Sequence, residues 1–306
     1  MRVSTSYISQ QNIDAMLKQQ TDLASTQQQL ATGLKIHSPS DDPVAAIKTL
    51  DIQRQLALAD QYQDNASTAE SKLSISEGIF GQAVDVIQRI RQLAVQGLND
   101  TNSVEARAGI AEEVDQLNQA LLGLANTTDA NGEYLFSGYQ TDQQPFTSFV
   151  SGYVPASPGA GDGQRSVRIG DGYTVDINEP GNKVFESAHD IAGTQSVFET
   201  INDFVIDLKA NTVGTASANG AFLDNIDNSL NALLDARTRV GARMNAVDQQ
   251  RAVNEGIKAS METMLSQIQD LDYAEAIAKL NLQMTGLQAA QQSFVKVQGL
   301  SLFNYL

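Results

Sequence analysis

The stretch that decides the fold is Asp270–Leu306, DLDYAEAIAKLNLQMTGLQAAQQSFVKVQGLSLFNYL. Tyr273, Ile277, Leu280, Met284, Leu287, Phe294, Val297 and Leu300 keep helical spacing along one stripe, and Phe303 follows beyond it. Gln and Ala fill half of the positions between them, with few charges. A stripe this apolar has to be covered. The N-terminal end carries a matching half. Ile13, Met16, Leu23, Leu30 and Leu34 keep the same steps, with Gln20 and Gln27 at the intervening seam positions. Both ends therefore read as halves of a helical pair, and the chain is expected to leave and return to one base. That is the plan of a polymer subunit rather than of an enzyme.

Composition narrows the class. A chain of 306 residues with 42% hydrophobic content has room for two or three domains with true cores. A net charge of -16 argues against a nucleic-acid partner. The charge is unevenly placed: residues 1–43 carry Arg2, Lys18 and Lys35 against Asp14, Asp22, Asp41 and Asp42, and residues 268–306 carry Lys279 and Lys296 against Asp270, Asp272 and Glu275. The nearly neutral ends can be buried without stranding charge, and the acidic middle reads as the solvated part. With no Cys there is no disulfide, thiolate metal site or Cys nucleophile. No signal peptide and no membrane span is visible, so the expectation is a soluble protein, retained in the cell unless an export route uses an uncleaved N-terminus.

A first helix is predicted from about Ser9 to Leu34, stopped by Gly33 and the Ser38–Pro43 stretch. Asp41 or Asp42 caps a second helix with Pro43 in its first turn, running to about Leu98. Ile52, Ala59, Ala66, Leu73, Phe80, Ile87 and Ala94 mark its seam, flanked by Tyr62, Ala69, Ala83 and Ile90, the pattern of a coiled-coil rod. After a turn at Asn99–Asn102, a third helix presents Ile110, Val114, Leu117, Leu121 and Leu124. Between 130 and 193 the helical period disappears. Ser166–Ile169 and Tyr173–Ile177 alternate around Gly170-Asp171-Gly172, a hairpin signal. Val197, Ile201, Phe204 and Leu208 restore the helical period, and a last rod begins near Ala221, its seam also accepting Arg237, Arg251, Asn254 and Lys258. The expected division is a terminal helical polymerisation domain (1–43 with 268–306), a helical rod (44–139 with 191–267) and a β-rich outer insertion (140–190).

Catalytic, cofactor and metal chemistry find no support. His37 and His189 read as lone loop histidines, and Asp41-Asp42 as a helix cap. Asp129-Ala130-Asn131-Gly132-Glu133 fails as an EF-hand because Thr127 and Gly138 fall where ligands are needed, so it reads as a turn. Gly159-Ala160-Gly161-Asp162-Gly163 follows no strand and opens no helix, so it reads as a loop. No cofactor is expected.

Specific motifs carry a resemblance. Gln27–Ser38 (QQQLATGLKIHS), followed by Asp41-Asp42-Pro43, resembles the conserved start of the flagellin family, and Gly241-Ala242 with Asn245 and the Ile268–Ala276 segment is similar to its C-terminal half. Asn131–Gly138 (NGEYLFSG), Pro145-Phe146 and the terminal Gln298–Leu306 (QGLSLFNYL) resemble the hook–filament junction branch of that family rather than filament flagellin. The resemblance covers nearly the whole chain except roughly 147–165. It implies a mainly α fold: a long coiled-coil rod made by the two halves of the chain, with a small β-rich insertion. It further implies export through the flagellar type III apparatus with a chaperone and without signal cleavage. An extracellular place in the bacterial flagellum follows, in a self-associated ring between the hook-side junction protein and flagellin. The terminal helices would form the inner layers, and lacking partners they are expected to stay largely disordered in the free chain. The subunit-interface residues implied are Ile13, Met16, Leu23, Leu30, Leu34, Tyr273, Ile277, Leu280, Met284, Leu287, Phe294, Val297, Leu300 and Phe303. Filament flagellin is the alternative; a secreted adhesin or coiled-coil signalling module is a second, and an enzyme the weakest.

Overall fold

The computed structural model describes residues 5–146, 163–186, 188–190, 193–213 and 216–299. It is mainly α, in the order α1 (Thr5–Thr32), α2 (Pro43–Gly97), α3 (Val104–Ala125), β1 (Ser166–Gly170), β2 (Tyr173–Asp176), α4 (Gly181–Phe185), β3 (Ala188–Asp190), β4 (Gly193–Gln195), α5 (Val197–Ala210), α6 (Ala216–Gln269) and α7 (Tyr273–Gly299). The long rods are present, α2 with 55 residues and α6 with 54. Two corrections apply: α6 starts before Ala221, and His189 lies in the short strand β3 rather than in a loop. Most of the Gly159–Gly163 loop lies outside the described residues.

The chain divides into two compact units, Met1–Leu58 with Gly256–Leu306, and Ala59–Glu255. The second holds the core. Every seam residue expected on α2 between Ala66 and Ala94 is fully enclosed. On α3 the buried face is Arg107, Ile110, Ala111, Val114, Asn118, Leu121 and Ala125, so Leu117 and Leu124 flank it. Helix α5 buries Val197, Ile201, Phe204 and Leu208, as its spacing predicts, and packs on α3 with Asn118 Nδ2 donating to the Phe198 carbonyl at 3.0 Å. Ser103 and Ser196 cap α3 and α5, each side-chain oxygen accepting a backbone N–H three residues on. Where α2 and α6 run through this unit, paired side chains link them: Arg91 with Asp227, Arg237 with Glu77, and Arg251 with Glu70. The polar seam residues of α6 thus have partners, and Asn254 Nδ2 donates to the Ile169 carbonyl at 2.8 Å.

The hairpin forms where Asp171-Gly172 turns it, with Gly172 at φ +70° and Val167 opposite Val175. Its Ile169 and Val175 enter the same hydrophobic cluster as the helices, as do Phe146, Val184 and Phe185. Phe136 joins Phe80 at 5.3 Å and Phe185 at 5.7 Å, and Phe146 meets Phe198 at 4.9 Å between ring centroids. Asn131–Gly138 is therefore core-building: Phe136 is fully buried and its carbonyl accepts from Gly181 N at 2.7 Å. The preceding turn behaves as read. Asp129 Oδ1 accepts from Asn131 N and Glu133 N, Gly132 has φ +79°, and Lys72 pairs with both Asp129 and Glu133.

Candidate assembly surface

The unit formed by both chain ends is built differently. α1 ends at Gly33, whose φ of +73° needs no Cβ. Asp42 Oδ1 accepts from Val44 N and Ala45 N to start α2, and Asp272 Oδ1 accepts from Ala274 N and Glu275 N to start α7. The two breaks lie side by side. Lys35 N donates to the Gln269 carbonyl at 2.7 Å and Leu271 N to the Gly33 carbonyl at 3.0 Å, an antiparallel bridge between Leu34 and Asp270. From this joint α1 and α7 run antiparallel. Tyr273 meets Gly33, Gln19 lies against Gly286, and Met16 shares a groove with Ala290 and Phe294.

Each helix turns a seam inward at alternating steps of four and three: Asn12, Met16, Gln19, Leu23, Thr26 and Leu30 on α1, and Ala276, Leu280, Gln283, Leu287, Ala290 and Phe294 on α7. Met16, Leu23, Leu30, Leu280, Leu287 and Phe294 are thus brought together as the sequence predicts, and Leu34 lies partly buried at the joint. Four of the remaining predicted residues lie off this inner seam. Ile13, Tyr273, Ile277 and Met284 are 38%, 53%, 49% and 38% exposed, and Gln20 and Gln27 also face out. Val297 is helical with its side chain undescribed, and Leu300 and Phe303 lie outside the described residues. The terminal stripes are not without partner, since each covers part of the other.

The reason is geometric. Leu280, Leu287 and Phe294 form a column shared by two possible seams. One adds Ala276, Gln283 and Ala290; the other adds Ile277 and Met284. α7 turns the less apolar seam toward α1 and leaves the more apolar one outside. α1 does likewise, with Asn12, Gln19 and Thr26 inside and Ile13 outside. Small residues and spacing from Ala276 were the available signal for the inner column, and hydrophobicity alone points the other way. Among the described buried apolar residues, only Ile52 and Ala276 belong to this unit, whereas Leu17, Val44, Ile47, Leu50, Leu282 and Val295 stand exposed in it.

Among the described residues no group of His, Asp or Glu is placed to hold a metal, and no helix is long and apolar enough to cross a membrane. A cleft at the joint is lined by Lys35, Asp41, Asp42, Asp272 and Lys279 among others. The carboxylates whose pKa departs downward serve structure in the other unit. Glu133 is held down by hydrogen bonds from Lys72 and Arg165, and Asp227 by Arg91.

Comparison with known proteins gives the same reading. Residues 3–141 match the bacterial flagellin N-terminal helical region and residues 223–306 the C-terminal helical region. The chain is 31% identical over 314 residues to the flagellar hook-associated protein 3 of Escherichia coli strain K12, covering 99% of both chains. A solved structure of a putative flagellar hook-associated protein from Vibrio parahaemolyticus, 25% identical, superimposes with a TM-score of 0.68 over 75% of this chain and 100% of that one. A flagellin of Clostridium tyrobutyricum is 33% identical over only 36% of this chain and 29% of its own. Matched from end to end by the hook-associated protein and only in part by that flagellin, the chain belongs to the flagellin family, in its hook-associated protein 3 branch.

Proposed function

We propose that the chain is a non-enzymatic structural subunit of the bacterial flagellum, joining the hook-side junction protein to the flagellin filament as a self-associated ring. The observation that carries this reading is the exposure of Ile13 on α1 and of Ile277 and Met284 on α7. They are left uncovered on a helix pair whose covered seam is the more polar one. Unmet apolar surface of this extent marks a contact to be made. The nearly neutral ends allow copies of one chain to pack together without charge repulsion. In this reading residues 1–43 and 268–306 polymerise, 44–139 and 191–267 form the rod and 140–190 faces outward. The chain reaches its place through the type III apparatus, escorted by a chaperone, with its N-terminus intact.

Filament flagellin is the weaker reading, because Asn131–Gly138 builds the core here and the flagellin compared above matches only about a third of the chain. A strain lacking this protein decides between them. The junction reading expects completed hooks with flagellin released as monomers. Hooks that still carry filaments overturn it.

A further inference from the structure

The start of α2 and the end of α6 also leave large apolar side chains uncovered. Thr49 and Ile52 mark the buried side of α2, and Ile47, Leu50 and Leu58 stand on its other side. Asn254 marks the buried side of α6, and Val253, Ile257 and Met264 run beside it in one stripe. All six are between 41% and 64% exposed. Single apolar residues on a surface need no explanation, but two aligned stripes do. The stripes differ in charge. Pro43–Leu58 holds Lys48 and Arg54 against Asp51, a net of +1, and Val253–Gln267 holds Glu255 and Glu262 against Lys258, a net of -1. Among the described residues Lys48, Arg54 and Glu262 enter no ion pair. Unlike stripes therefore attract, and like stripes repel. There is room beside the α6 stripe as well: a Cβ added at Gly256 meets nothing within 4 Å. Asp42, Gln267 and Ala276 line one cleft at the joint, where α2 starts and α6 ends. The two stripes thus continue the surface assigned above to assembly.

We propose that in the assembled junction the Ile47–Leu58 stripe of one copy packs on the Val253–Met264 stripe of a second copy. Because the stripes differ, the contact is head to tail: each copy offers α2 to one neighbour and α6 to the other. Such a contact closes into a ring when the rotation between copies divides a full turn. It forms on assembly and asks nothing of the free chain. It rests on the assembly reading and adds to it a polarity around the ring.

The absence of Cys gives a clean background for a test. In cells whose only copy carries Ile47→Cys or Leu50→Cys together with Ile257→Cys or Met264→Cys, isolated flagella are mildly oxidised and the chain is blotted from a non-reducing gel. A disulfide closes only where Cα atoms come within about 7 Å. A bond within one chain adds no mass, whereas bonds between unlike stripes build a ladder of dimers, trimers and longer multimers. At least one of the paired substitutions is expected to give that ladder, and each Cys alone to leave the chain monomeric. Lys48→Glu with Arg54→Glu should lower the ladder about tenfold, one decade in the equilibrium, and Glu255→Lys with Glu262→Lys added to the same chain should restore it. Dimers from a chain with one Cys would show like stripes meeting and overturn the head-to-tail contact. So would the lack of a ladder from every pair, or a ladder indifferent to the charge reversal, when the chain is present in the flagella. Flagella in which blotting finds none of the chain would sink the assembly reading instead.

Discussion

The hydroxyl of Tyr273 stands over Gly33: a Cβ built on that glycine would lie 2.8 Å from the Tyr273 Oη, and Gly33 already holds φ +73°. The first residue of α7 thus packs on the residue that ends α1, and the backbone bridge beside it ties Leu34 to Asp270. Gly33→Ala meets two obstacles there, a left-handed backbone that costs about 1 kcal/mol for an L-residue and the hydroxyl itself. We expect faster hydrogen exchange across residues 5–32, with Tyr273→Phe restoring part of the protection. No recovery in the double variant would show that backbone strain alone sets the effect.

Two neighbours on α7 separate pairing within a chain from assembly between chains. Leu280→Asp puts a carboxylate into the seam and should unpair α1 from α7 at a cost of several kcal/mol. Ile277→Asp lies on the outer column and should leave circular dichroism and hydrogen exchange of the monomer unchanged while abolishing assembly seen by electron microscopy. If Ile277→Asp disturbs the monomer as much as Leu280→Asp does, the division into inner and outer columns is wrong.

The aromatic core makes the 140–190 segment part of its unit's stability. Phe185 touches Phe136, Phe146 and Phe198 and is fully buried, so Phe185→Ala should cost about 3–5 kcal/mol. Replacing 145–188 by a Gly/Ser linker removes Phe146, Ile169, Val175 and Phe185 together. We expect urea unfolding of that variant to lose the cooperative transition of the Ala59–Glu255 unit. An unchanged midpoint would mark the segment as an independent insertion.

Acid should weaken the same unit. Glu133 is lowered by Lys72 and Arg165, and Asp227 by Arg91; at Asp129 burial pulls upward, but backbone N–H groups and Lys72 outweigh it. Each folded pKa lies below its unfolded value, so the stabilisation is present above the ordinary carboxylate range and is lost as pH falls through the folded values. The melting temperature should therefore be level from neutral down to about pH 5 and fall below about pH 4. Lys72→Met should flatten that fall. A melting curve that is equally steep without Lys72 would remove these pairs as its cause.

Much was legible from local rules. The helical period marks six of the helices, Gly33 and Asp42 mark where one stops and the next starts, and Asp171-Gly172 marks the hairpin. These are decisions each segment makes within a few residues, so the amino-acid sequence by itself determined them. It equally determined that both ends are apolar and nearly uncharged, and hence that they need covering. Which column of α7 is covered was not a local decision. Leu280, Leu287 and Phe294 serve either seam, and hydrophobicity favours the one with Ile277 and Met284. Tertiary structure chose the other, because the Gly33–Tyr273 contact and the Leu34–Asp270 bridge set the angle at which α7 leaves the joint. Those contacts join residues some 240 apart in the chain, a relationship that no helical period contains.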